Sequence, residues 1–472
     1  MQLNREPIPH LQLPLVRQVL LILEWIAAEH DTPGGGDALL FELLHSPWWG
    51  IPPVEIARLS IEVAGRQFGE KKTSIRQLLY EKIQRPAPDL FTPPLHEGLQ
   101  RAGLLSEKWL EDAARFSPLA LFELIIGEAG LQAHIRQYPA EQAQALTSLT
   151  AFLHNETSLP LPDLLALLEQ LKKEGRAVAG GEIIIPSKSE APQIAPPDPA
   201  FIRPLVERFT MNVTALNNYL RCPLEFYYKN LLRIPSPKSE AAEFGSAVHY
   251  ALEHLFRNML AEPGAGRQRS FAPPESLIRD FEWFMQQRRE GFTREQFERK
   301  LAYGREMLPG YYAAYIDHFA TIVTIERMIN VLYNGVPLKG KLDKLEFDGK
   351  WVNIVDYKTG DHDKALARMQ PPHEQLPNGG DYWRQAVFYK ILVDNYAQKG
   401  WKAASVEFDF IEPGKTGQYR REKLLITAPD IATVTEQITT TWQKIQQHDF
   451  YTGCGKTGCH WCSFVKNFQL AI

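Results

Sequence analysis

The stretch 338–360, LKGKLDKLEFDGKWVNIVDYKTG, constrains the fold more than any other part of the chain. Two runs of alternating apolar and polar residues flank Asp348-Gly349, and Asp-Gly between such runs is the strongest short-range hairpin signal a sequence offers. With those two residues as the loop, Asp343 pairs with Ile354, and the pleat turns Asp343, Asp356 and Lys358 to one open face. Asp343 and Asp356 are then diagonal neighbours, about 7 Å apart at Cα, near enough for two carboxylates to grip one divalent cation. Lys358 follows Asp356 by two residues on the same face, so its ammonium can reach a metal-bound water or a phosphoryl oxygen that gains charge. Two acids and a lysine in this arrangement suit phosphodiester hydrolysis. The spacing alone is met equally by a solvated hairpin face carrying an ordinary Asp–Lys pair.

G-K-L-D followed by I-V-D-Y-K-T-G resembles the active-site core of the PD-(D/E)XK nuclease superfamily in its RecB-like branch, with Leu342 where the name-giving proline would stand. Three further stretches match in the same order. FGSAVHYALEHLF, 244–256, resembles the helix that supplies a histidine metal ligand, here His249. Glu326 in TIVTIERM resembles the acidic residue before the hairpin, and Gln385 with Tyr389 in YWRQAVFYK resembles the branch's Q-x-x-x-Y helix. Taken without the resemblance, His249 on an apolar helical stripe reads as a satisfied core residue, and Gln385 and Tyr389, four apart on one helix face, read as packing.

The resemblance implies an α/β, restriction-endonuclease-like core, a small mixed sheet flanked by helices. It further implies a Mg²⁺- or Mn²⁺-dependent deoxyribonuclease. Asp343, Asp356 and His249 would hold the metal, Lys358 would position and activate the attacking water, and Glu326, Gln385 and Tyr389 would support them. By the same likeness, to RecB/AddB-type helicase–nuclease systems, the expected action is exonucleolytic, on single-stranded or duplex DNA ends, in end processing and recombinational repair with a helicase partner. The alternative is a catalytically silent DNA-binding or scaffolding subunit, against which the intact Asp343, Asp356 and Lys358 argue.

The 472 residues suffice for two or three domains, and 44% hydrophobic content is ample for their cores. A net charge of −4 excludes coating of nucleic acid by bulk charge, so any DNA contact is local. No apolar leader follows Met1, and the most apolar early run, 19–28, is interrupted by Glu24 and too short to span a bilayer; a cytoplasmic protein with no membrane partner is expected. From 15 to about 175 the pattern is helical, with periodic apolar residues over 15–30, 38–45, 54–63, 75–83, 140–154 and 162–173. Residues 1–180 therefore read as an all-α domain, and ALLFELLHSPWWGIPPVEIARLS, 38–60, resembles the accessory subdomain of UvrD/Rep-type helicases. A generic helical bundle accounts for the same pattern. No motor motifs follow. Residues 181–206 carry too many prolines for helix or sheet and read as a linker, leaving 207–472 as the nuclease domain. GVPLKGKL, 335–342, imitates a phosphate-binding loop but ends in leucine and places Lys341 inside the hairpin.

The chain has four cysteines, Cys222, Cys454, Cys459 and Cys462. T-x-L-x-x-Y-x-x-C-P-x-x-F-Y-Y, ending at Tyr228, resembles the opening of RecB-like nuclease domains, in which this cysteine is the first ligand of an iron–sulfur cluster in the members that carry one. That likeness implies a [4Fe–4S] cluster on the four cysteines, although the C-terminal spacing, C-x4-C-x2-C, departs from the family's C-x2-C-x5-C. A structural Zn²⁺, on the four or with His460, and free thiols are the alternatives.

Overall fold

The periodic apolar residues of the first part of the chain form helices that bury one face each. The computed structural model describes residues 7–8, 11, 13–67, 72–85, 94–128, 130–156, 159–173, 183–184, 190–236, 239–261 and 270–472. The residues divide into two units, the first combining Met1–Leu205, Cys222–Pro237 and Phe450–Ile472, the second Val206–Arg221 and Lys238–Asp449.

In the first unit, nine helices of the described residues precede position 174: α1 (Pro14–Asp31), α2 (Asp37–Leu44), α3 (Pro53–Arg66), α4 (Ile75–Gln84), α5 (Glu97–Ala113), α6 (Pro118–Glu128), α7 (Leu131–Ile135), α8 (Ala140–Asn155) and α9 (Leu161–Lys173). Leu15, Val19, Ile22, Trp25 and Ile26 of α1 are fully buried, with Trp109 of α5 and Phe122 of α6. The glycine-rich break after α1 is pinned by Glu29, whose buried carboxylate accepts from the Gly34 and Gly36 amides at 3.1 and 3.0 Å and pairs with Arg76 at 3.1 Å. Ser74 and Gln77 close a capping box at the start of α4. Two short strands, β1 (Pro7–Ile8) and β2 (Ile183–Ile184), pair antiparallel. None of the helices among the described residues is long and apolar enough to cross a membrane.

Part of the stretch read as a linker lies outside the described residues. Within the described part the reading is corrected: α10 (Pro199–Glu207) is a helix. Pro199 sits where a proline lacks nothing, in the first turn, and Asp198 Oδ1 accepts the Ala200 amide at 2.8 Å. Proline count alone therefore misjudged this segment.

The second unit is built on a five-stranded sheet in sequence order: β3 (Val323–Tyr333), β4 (Val336–Asp348), β5 (Trp351–Lys358), β6 (Lys402–Phe410) and β7 (Arg420–Leu424). All neighbours are antiparallel except β5 and β6, which run parallel and are joined through α16 (His362–Leu366) and α17 (Asp381–Asp394). Helices α13 (Glu240–Leu260), α14 (Pro274–Gln287) and α15 (Arg294–Tyr315) share an apolar core with Val355 and Tyr357, to which α13 contributes Phe244, Val248, Leu252 and Phe256. The fold is α/β, a small mixed sheet flanked by helices and preceded by a helical region, as expected. Two helices, α11 (Val213–Arg221) and α18 (Ala428–Gln446), complete the unit.

The hairpin forms, but its register differs from the expected one by two residues. Asp348 pairs with Trp351, so the loop is Gly349-Lys350. Gly349 alone of the two has a positive φ, 60°, the pattern of a II′ turn with glycine at its first central position rather than the Asp-Gly I′ turn. The pairs Lys344–Val355 and Leu345–Ile354 carry this register along, which sets Asp343 directly across from Asp356 instead of diagonally. A two-residue shift leaves every side chain on its face. The face is not open: α17 lies over it, and Gly340 of β4 permits the approach, since a Cβ there would stand 2.5 Å from Leu392 of α17.

Candidate active site

Asp356 and Lys358 end β5, and Asp343 meets them from β4. Asp356 is 4% exposed. Its Oδ1 accepts from Gln385 Nε2 at 2.9 Å, and its Oδ2 lies 2.6 Å from Lys358 Nζ. That carboxylate is buried with the Lys358 ammonium as its counter-charge. Lys358 Nζ also donates to Gln385 Oε1 at 2.9 Å. One glutamine side chain thus bridges acid and base. Tyr389, one turn further along α17, accepts from the same Gln385 amide at 2.8 Å. Asp343 Oδ2 accepts the Tyr357 amide at 3.0 Å and stands 3.4 Å from His249 Nδ1.

The charges follow from this packing. Burial raises the Asp356 pKa, and the Asp343 carboxylate adds to the rise, against the opposing pull of Lys358. Burial works the same way on Asp343, but His249, the Tyr357 amide and Lys358 together outweigh it and its pKa falls. Burial disfavours the cationic forms of His249 and Lys358, yet Asp343 and Asp356 respectively overcome it, and both pKa values rise. His249 and Asp343 thus favour each other's charged forms, and service as a metal ligand calls for the neutral imidazole.

The structure brings together six of the seven residues singled out in this part of the sequence: His249, Asp343, Asp356, Lys358, Gln385 and Tyr389. Glu326 stands apart in its bonding. It interrupts the β3–β4 ladder between the Ile325–Lys344 and Arg327–Leu342 pairs with φ of 50°, and its carboxylate is taken by Lys341 in an ion pair. Burial raises its pKa, with the nearby Asp343 contributing. Lys341 lies in β4 with its ammonium on Glu326, which rules out the imitation phosphate loop. Two neighbours escaped the sequence reading. Tyr382 of α17 holds its ring 4.3 Å from Lys358 Nζ, and Phe408 of β6 lies 5.2 Å from it. Tyr382 was findable, because 382, 385 and 389 form one helical stripe; Phe408 needed the β5–β6 register.

The donor set fits a hard divalent ion. Asp343 and Asp356 offer oxygen ligands from paired strands, and both carboxylates are held in place by Lys358, Gln385 and His249.

The four cysteines form a second donor set, entirely within the first unit. Cys222 precedes α12 (Pro223–Phe226), Cys454 lies in a loop, and Cys459 and Cys462 flank the start of α19 (His460–Asn467). All four sulfurs lie within 4.8 Å of one another, Cys454 and Cys462 at 3.8 Å. Burial pushes the Cys222 thiol up, and the Cys462 thiol up to about 11. His460 faces away, its Nε2 3.1 Å from Glu42 of α2. Around the cluster, Trp461 stacks on Tyr228 at 4.7 Å and Phe464 meets Phe41 of α2 at 6.2 Å.

A model of the PD-(D/E)XK nuclease superfamily matches residues 210–466, more than half of the chain. Among solved structures, one of a protein described as a candidate exonuclease from Eubacterium rectale aligns at 13% identity over 54% of this chain and 86% of that one, with a TM-score of 0.34. No curated protein matches. The family match spans the sheet with its acid–acid–lysine group and the histidine helix described above, and it settles the kinship: this chain belongs to the PD-(D/E)XK nuclease superfamily.

Proposed function

We propose that the chain is a Mg²⁺- or Mn²⁺-dependent DNA nuclease that hydrolyses phosphodiester bonds, as an exonuclease at single-stranded or duplex ends. The observation that carries this reading is Asp356, buried with its Oδ2 2.6 Å from Lys358 Nζ and with Asp343 across the strand pair. Asp343 and Asp356 would hold the ion, which when bound polarises a phosphoryl oxygen and eases deprotonation of a water. Lys358 supplies positive charge where a phosphoryl oxygen gains negative charge, and it can orient the attacking water. Gln385 fixes the spacing of Lys358 and Asp356, and Tyr389 fixes the amide of Gln385. Glu326 would act from the margin once freed from Lys341. The likeness of 38–60 to a helicase accessory subdomain supports a place in end processing and recombinational repair beside a separate helicase.

The test is incubation of purified protein with end-labelled single- and double-stranded DNA, with Mg²⁺, with Mn²⁺ and with neither. Metal-dependent release of nucleotides from ends is expected. Intact DNA under every condition, together with measurable binding, would replace this reading by that of a silent DNA-binding subunit.

A further inference from the structure

The iron–sulfur expectation meets an obstacle in the cysteine geometry. In a four-iron cluster each thiolate binds a different iron, so the sulfurs are separated by an iron–iron edge as well as two iron–sulfur bonds; in a two-iron cluster the same separation divides one pair from the other. A single tetrahedral ion with metal–sulfur bonds of about 2.3 Å instead sets its sulfurs about 3.8 Å apart. Here Cys454 and Cys462 are 3.8 Å apart and no sulfur pair exceeds 4.8 Å. The space between them is that of one ion.

We infer that Cys222, Cys454, Cys459 and Cys462 bind a single structural Zn²⁺ and no iron–sulfur cluster. Four thiolates at tetrahedral spacing suit zinc, and in the Irving–Williams order Zn²⁺ outcompetes Fe²⁺ for such a site. The surroundings are built to this size. Gly453 leaves its Cβ position to Cys462, whose sulfur lies 2.6 Å from where that atom would be. Gly455 and Gly458 take positive φ, 69° and 78°, as the loop folds back from Cys454 to Cys459. His460, the other donor in this segment, is committed to Glu42. Binding releases the thiol protons to solvent and leaves no redox couple, so the centre clasps the segments and moves no electrons. The inference is independent of the nuclease reading.

The full chain, purified anaerobically without added metal, tests it by elemental analysis and visible spectroscopy. The expected protein is colourless, with a single zinc per chain, and exchange with Co²⁺ gives the intense visible absorption of tetrahedral thiolate coordination. Cys222→Ser should lose the zinc and melt at lower temperature. Should that variant fail to fold, Cys454→His keeps the assignment open to test, because a Cys₃His set also holds zinc but a cubane would lose a thiolate; it should retain the metal. Brown protein with iron and acid-labile sulfide, a single iron in place of zinc, or wild-type protein with no metal would each overturn the inference.

Discussion

The two candidate metal sites are made in opposite ways. The carboxylate site joins residues thirteen positions apart in one hairpin, so strand pairing alone brings Asp343 to Asp356. Its donors are hard oxygens, already engaged by Lys358, His249 and Gln385. The cysteine site gathers Cys222 from one segment and three sulfurs from more than two hundred residues later, with sulfur alone as its donor. The difference teaches what each arrangement serves. A site whose ligands carry their own counter-charges stays folded without an ion and can exchange it during chemistry. A site of clustered thiols gains its cohesion from the ion.

Chelation should separate them most sharply. EDTA is expected to abolish cleavage completely and reversibly, with Mg²⁺ restoring it, while elemental analysis after desalting still finds the cysteine-bound metal. Loss of both together would mean that the sites are not independent. Next in size, Asp343→Asn should lower the cleavage rate by about a thousandfold or more, with the metal content of the cysteine site unchanged.

A proton should discriminate between the units more gently. His45, at the end of α2 beside Phe464, is fully buried with Nδ1 donating to the Phe41 carbonyl at 2.8 Å, and burial pushes its pKa down to about 4. The unfolded chain takes up this proton more readily than the folded one. Stability from this group is thus complete above the usual histidine value of about 6.5 and is lost as pH falls toward 4, about 3 kcal/mol in all. Urea denaturation across this window should show the loss in wild type, and His45→Phe should flatten it. The smallest effect belongs to Tyr389→Phe, which deprives the Gln385 amide of an acceptor. A three- to tenfold fall in rate is expected from a hydrogen bond of about 1 kcal/mol, read in single-turnover cleavage.

Legibility in the sequence followed the same division. The strands and the helix over them were visible because their periodicities are local, and a register error of two residues did not matter because a pleat repeats every two. An error of one would have turned Asp343 away from Asp356. The II′ turn escaped notice because Asp-Gly advertises the other turn type, and only the φ values of 349 and 350 distinguish them. Gln385 and Tyr389 were identifiable as a pair, whereas the bridge from Gln385 to both Asp356 and Lys358 depends on how closely α17 approaches, which Gly340 decides. The cysteines were countable, but the separation of their sulfurs, on which the choice of metal turns, is a property of the folded chain alone.

The assignment of Cys222–Pro237 and Phe450–Ile472 to the unit of the N-terminal helices bears on how this protein can be dissected. A cut in the proline-rich stretch near 190, where the linear sequence shows a seam, would strip Phe41 and the rest of α2 from Phe464, Tyr228 and His460. The shortened chain would then present a bare aromatic surface to solvent, a liability for solubility. The family match ends at 466, yet the segment that carries it there is shared property. Modularity along the chain and modularity in space are different things in this protein, and a fragment chosen by the first would inherit an exposed wound from the second.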